Sequence, residues 1–82
     1  MPSIIKPLSN EISVSTANTV SGAVVVRTYA SANSLVTVAD ANTDVKGQFT
    51  IPVGTVEYIE KTPTDTVSAN VAVFCTSVAY KT

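Results

Sequence analysis

The segment Val71–Tyr80, VAVFCTSVAY, carries apolar side chains at both odd and even positions of a chain of 82 residues. Successive side chains of a strand point to opposite faces. Val71, Val73, Cys75 and Ala79 therefore share one face with Ser77, while Ala72, Phe74, Val78 and Tyr80 share the other with Thr76. In an antiparallel sandwich one face of a strand meets the core and the other is normally polar and wet. Here neither face is polar. Two covers for the second face are open: the chain's own loops or N-terminal arm, and another subunit.

The remaining chain also reads as strands. Fourteen valines and twelve threonines, with three glycines and no helical spacing of Leu, Glu, Lys and Ala, favour extended structure almost throughout. Glu11–Thr16 alternates Ile12 and Val14 against polar residues, as a half-buried strand does. Ala23–Ala30 puts Val24, Val26 and Thr28 on one face and Val25, Arg27 and Tyr29 on the other. Leu35–Asp40 follows the turn-like Ser31–Ser34, so residues 23–40 are expected to form a hairpin. Gln48–Val53 and Thr55–Lys61 flank Gly54 as a second expected hairpin, with Pro52 at a strand end or edge. A proline turn at Thr62–Asp65 and a short strand at residues 66–69 precede the last strand. The expected fold class is all-β: a compact antiparallel β-sandwich or small barrel of about seven strands. Residues 1–9 form an extended N-terminal arm, because Pro2 and Pro7 each remove a backbone donor, and residues 10–82 form a single β domain. Packing of that arm on its own domain and reach to a neighbour are both compatible with its composition.

A chain of this length buries only about 60–65% of its unfolded surface, which leaves its core marginal. Small domains gain support from disulfides, metals or association. Cys75 is the single cysteine, so no internal disulfide forms, and a zinc site is not expected without histidine. Association remains. A hydrophobic content of 45%, with 13% charged residues, suits a subunit whose surface is covered. The net charge of −1 and the scattered cations Lys6, Arg27, Lys46, Lys61 and Lys81 exclude electrostatic nucleic-acid binding. No run approaches the roughly 20 apolar residues of a membrane helix, so no membrane partner is expected. The start lacks the pattern of a signal peptide, and synthesis in a cytoplasm is expected.

Motifs with possible chemistry reduce to ordinary roles. Asp40–Asp44, DANTD, opens like a calcium loop, but the sixth and twelfth positions are Val45 and Ile51 where glycine and a bidentate glutamate are needed. Asp, Asn and Thr are also the ordinary residues of a tight loop. Glu57 and Glu60 have opposite strand parity and cannot converge on one substrate. Lys61 and Asp65 are placed to pair across the proline turn at the surface. Cys75 lacks a histidine to activate it and reads as a packing residue. Tyr29, Tyr58 and Tyr80 read as strand-face residues, with no basic cluster beside them for a phosphate chain. No enzyme activity, cofactor or metal is expected.

Two stretches carry a family resemblance: KPLS…VSTANTVSGAVVVRTYA, and QFTIPVGTVEYIEKTPTDTVSA…VAVFCTSVAYKT. In the second, Gly54 precedes an apolar–acidic strand, then Glu60-Lys61-Thr62-Pro63-Thr64-Asp65-Thr66, then the VAVFCTSVAY strand. The chain resembles small virion structural proteins of tailed phages, especially phages of cyanobacteria, over most of its length. The resemblance implies a structural component located in the virion, and it implies no catalytic residues. The expected role is a capsid decoration (cement) protein present in many copies. Its expected partners are the major capsid protein or another virion lattice protein, together with further copies of itself. A tail, neck or baseplate component and an immunoglobulin-like adhesin are the alternatives. The expected assembly contacts are Ile4, Ile5, Leu8, Phe74, Val78 and Tyr80, the apolar positions of the arm and of the last strand's second face.

Overall fold

A computed structural model of the chain describes residues 4–81, without the side chains of Ile4, Tyr80 and Lys81. Expectations that rest on Pro2, or on the side chains of Ile4 and Tyr80, lie outside the described residues. The fold is all-β, with eight antiparallel strands in two sheets and no helix among the described residues. The strands are β1 (Ile4–Pro7), β2 (Ile12–Val14), β3 (Val25–Ala30), β4 (Ser34–Ala39), β5 (Val45–Ile51), β6 (Val56–Glu60), β7 (Thr66–Ala69) and β8 (Val73–Lys81).

The larger sheet is organised on β8. One edge of β8 pairs with β3, from Val25 opposite Val78 to Ala30 opposite Val73. Its other edge takes two short strands end to end: β1 opposite residues 78–81 and β2 opposite residues 73–75. Between them the Leu8 N–H donates to the Ser77 carbonyl and the Ser9 hydroxyl accepts the Ser77 N–H. The eighth strand thus lies in the segment expected to be an extended arm outside the β domain, and it packs on its own chain. Pro7 is tolerated because β1 sits at an edge, where one missing donor costs no second ladder. β6 completes this sheet on the far side of β3.

The smaller sheet has the order β5–β4–β7. After Val14 the chain leaves β8 and passes to β7: the Ser15 carbonyl accepts the Ala69 N–H, and Asn18 and Val67 exchange both backbone bonds at 3.0 and 2.8 Å. This crossing closes one flank of the sandwich. On the opposite flank, among the described residues, β5 pairs only with β4 and β6 only with β3.

The two hairpins expected from the sequence do not form. β3 and β4 lie in different sheets, and so do β5 and β6. Their connections are corners that carry the chain from one sheet to the other. The corners brace each other: Asn33 Oδ1 accepts the Val53 N–H at 2.9 Å, and the Ala30 carbonyl accepts the Gly54 N–H at 2.7 Å. Gly54 takes the left-handed φ of +78° that this corner needs. The physical reason is burial. Ala30 before the first corner and Val36 after it are both inaccessible, so the two strands bury their inward faces against one core from opposite sides. The hairpin that does form is β4–β5, around Asp40–Asp44.

The core consists of small β-branched and alanyl side chains, with Ile51 the largest fully buried one. Val14, Val26, Val36, Val67 and Val73 are all within 1% of complete burial, each contributing about 1.5–3 kcal/mol. Val20 joins them from an unusual backbone. It sits at φ +54°, a region disfavoured for a β-branched residue, with its side chain fully buried. Asn18 holds it there, its Oδ1 accepting the Val20 N–H at 2.7 Å. Asn18→Ala leaves that donor without its acceptor and is expected to lower the unfolding free energy by about 1–2 kcal/mol. Urea denaturation monitored by circular dichroism checks this, and an unchanged midpoint contradicts it.

Candidate functional site

The strand alternation that builds the core builds a second surface on the outside of the larger sheet. Val26, Thr28 and Ala30 of β3 are buried inward beside Cys75 and Val73 of β8. Val25, Arg27 and Tyr29 therefore face outward, opposite Val78, Thr76 and Phe74. β6 adds Val56, Tyr58 and Glu60 to this outer face, and β1 adds Ile5 and Pro7. Tyr29 and Phe74 stack with ring centroids 6.4 Å apart. Arg27, between Tyr58 and Thr76 at the middle of this face, reaches Glu11 of the β1–β2 loop at 3.6 Å.

The distribution of aromatic residues is unusual for so small a domain. Among the described side chains no aromatic belongs to the core cluster: Tyr29, Tyr58 and Phe74 stand on the outer face of the larger sheet, and Phe49 lines the groove beside β5. Small domains usually bury their large rings, because each carries 150–250 Å² of surface. Here the interior is filled mainly by valine, alanine and isoleucine, and the rings of Tyr29 and Phe74 are left half-buried and that of Tyr58 43% exposed.

The residues expected to make assembly contacts separate in the structure. Phe74 and Ile5 lie half-buried on the outer face. Val78 is on the same face but is only 3% exposed, covered by its own chain between Val25 and Pro7. It offers almost no area to a partner. Leu8 is 58% exposed in the loop between β1 and β2. Backbone pairing places Tyr80 opposite Ile5 and Ile4 opposite Lys81. Tyr29, Val56 and Tyr58 were not among the expected contacts. Their signal was available, since strand parity already set Tyr29 apart from Val26 and Thr28.

The flank left open between β5 and β6 holds a groove of 570 Å³, with Val24, Val38 and Phe49 as its apolar lining. A buried polar cluster closes its floor. Asp65, 2% exposed, accepts the Thr62 N–H and the Lys46 ammonium, both at 3.0 Å. Lys61, 5% exposed, donates to the carbonyls of Ala23 at 2.7 Å and Thr62 at 3.2 Å. The surface pair expected between Lys61 and Asp65 is therefore replaced by two buried, separately partnered charges. The cause is the position of β6: pairing on β3 draws Lys61 inward to cap the open Ala23 carbonyl.

No convergent chemistry accompanies these features. Cys75 is inaccessible, its Sγ 3.8 Å from the Thr28 hydroxyl, and burial pushes the thiol pKa up. Glu57 and Glu60 lie opposite Thr28 and Val25, on opposite faces of β6. In the DANTD loop, Asp40 Oδ1 accepts the Asn42 and Asp44 N–H groups at 2.9 and 3.0 Å, which closes the β4–β5 turn. Among the described residues, no three of His, Cys, Asp and Glu gather into a metal-binding group. Comparison with known proteins returns no match, whether to family models, to curated proteins or to solved structures.

The polar cluster makes stability depend on pH in a defined direction. The Thr62 N–H, followed by Lys46, holds the Asp65 carboxyl below the usual carboxylate range. The unfolded chain therefore takes up this proton first, at about pH 3.9. The stabilising contribution is complete above that pH and is lost as the pH falls through the lower folded-state value. Burial shifts Lys61 below the usual lysine value, against the opposing charge of Asp65, so its contribution grows as the solution becomes strongly alkaline. Asp65→Asn is expected to lower the melting temperature at pH 7 and to flatten its fall below about pH 4. Equal acid slopes for the variant and the wild type contradict the assignment.

Proposed function

We propose that this chain is a non-enzymatic structural protein of a tailed-phage virion, most simply a decoration protein bound in many copies to the head lattice. One observation carries the reading: Tyr29, Tyr58 and Phe74 lie together on the outer face of the larger sheet, while the core is built mainly of valine, alanine and isoleucine. A cluster of tyrosine and phenylalanine on one face is the composition of a protein–protein contact, where such rings are enriched. The low charge content supports the same reading, since a free monomer is helped by a more charged surface. The motifs Glu60–Thr66 and Val71–Tyr80 supply the resemblance to virion proteins. Both are structural here, one as the clamp below the groove and the other as the strand on which the larger sheet is ordered. The proposed partner is the major capsid protein or another lattice protein, and the proposed contact is the outer face around Tyr29, Tyr58 and Phe74.

Copy number in purified virions tests the reading first: a lattice role requires on the order of hundreds of copies, set by capsid symmetry. Absence from the virion refutes it, and a handful of copies refutes the head assignment. Substitution then tests the face. Tyr58→Ser is expected to lower incorporation at least about tenfold, as loss of an interface aromatic does, in a chain that circular dichroism shows to be still folded. Val53→Ser, at a more exposed site on the β5–β6 corner, is the control and is expected to incorporate normally. Equal incorporation of both variants removes the face from the contact.

A further inference from the structure

The free edge of β5 is the strongest unclaimed feature of the fold. Its main-chain directions follow from its neighbour. The Leu35 N–H donates to Asn70 Oδ1 and the Leu35 carbonyl accepts the Asn70 N–H, so the main-chain groups of Leu35 point toward β7. By alternation those of Ser34, Val36 and Val38 point toward β5. Their partners Ile51, Phe49 and Gly47 turn their own groups back to β4. Gln48 and Thr50 must then direct N–H and C=O outward, away from the sheet. Side chains from Val45 to Thr50 are all exposed.

The other edges are protected along their length, whereas on β5 the protecting features, Lys46 and the bulge beside it, are confined to one end. β1 carries Lys6 and Pro7, and β2 is three residues long. β7 has four residues and is bridged to Asn18. β6 carries Glu57 and Glu60 on five residues, so two copies of that edge repel. β5 has seven residues and a single charge, Lys46, which is bonded to Asp65. A long edge without charge or proline in its interior is a site for strand addition.

We infer that β5 pairs antiparallel with β5 of a second copy, about a two-fold axis centred on Phe49. In this register Gln48 lies opposite Thr50 of the second copy, and the converse, which satisfies all four outward-facing groups on each strand. Phe49 meets its counterpart in the closer, non-hydrogen-bonded position, where an aromatic pair gains most. Lys46 falls opposite Pro52, so no like charges meet. The register also begins beyond the bulge between Val38 and Ala39, where β5 inserts Lys46. The outcome is one six-stranded sheet across two chains, with the Phe49 rings joining over the two grooves. A five-residue ladder is smaller than the ~800 Å² per partner of a stable dimer, so the pairing is weak and depends on concentration. This inference is independent of the virion reading, because it concerns a main-chain edge of the smaller sheet and free chains in solution.

Sedimentation equilibrium of the full chain tests it with substitutions at two exposed positions. The wild type is expected to approach a dimer as its concentration rises. Gln48→Glu with Thr50→Glu sets carboxylates opposite one another twice and is expected to weaken the dimer about tenfold. Gln48→Glu with Thr50→Lys sets opposite charges together in this register and is expected to dimerise at least as well as the wild type. Circular dichroism verifies that each variant is folded. A wild type monomeric to about 1 mM, a weak-binding limit of roughly 4 kcal/mol, overturns the proposal. Equal dimerisation of the two charged variants, or loss of the dimer in both, overturns it as well.

Discussion

The rest of the structure depends on β8 being paired along both edges while presenting apolar side chains on both faces. A strand of nine residues offers more ladder than either N-terminal strand can fill alone, so β1 and β2 share one edge in tandem. That arrangement brings the start of the chain to its end, and it directs the segment after Val14 across to β7. The inward residues Val73 and Cys75 are inaccessible and anchor the core from the larger sheet. The outward residues sit on the aromatic face. One strand thus supplies a wall of the interior and the centre of the candidate contact surface.

The small core and the external aromatics are two results of the same distribution. Valine and alanine inside allow the sheets to pack with little side-chain entropy lost, since β-branched residues are already restricted at χ1. The area buried per residue is correspondingly modest, and a chain of this size has little stability to spare. Rings placed outside add nothing to that interior beyond their stacking. They add most when another surface covers them, which is why the outer face, rather than the groove with its bonded charges, is the better candidate for a lattice contact.

The strands themselves were legible in the sequence. Period-two alternation located β2, β3 and β8 and assigned the faces of Val26 and Thr28 against Arg27 and Tyr29 correctly. Pairing was not legible. Ser31–Asn33 and Pro52–Thr55 have the composition of hairpin turns, and the same residues equally suit corners between sheets; only burial of both flanking strands decides. β1 was hidden because its prolines argue against a strand until an edge position is known. At the candidate site, Phe74 was visible from parity, but the burial of Val78 depends on Val25 and Pro7, which are distant in sequence. The burial of Lys61 is likewise invisible without knowing that the Ala23 carbonyl lies beside it.

The central claim is that the chain attaches to a lattice through the outer face of the larger sheet and not through the outer face of the smaller one. Hydroxyl-radical footprinting of the free chain and of the chain on virions measures this directly, because tyrosine and phenylalanine are readily oxidised and their exposure changes only where a partner covers them. The account predicts strong protection of Tyr29, Tyr58 and Phe74 on assembly, with Leu35 on the smaller sheet, 38% exposed in the free chain, left unchanged. Unchanged labelling of the three aromatic residues, with protection confined to the smaller sheet, would contradict it.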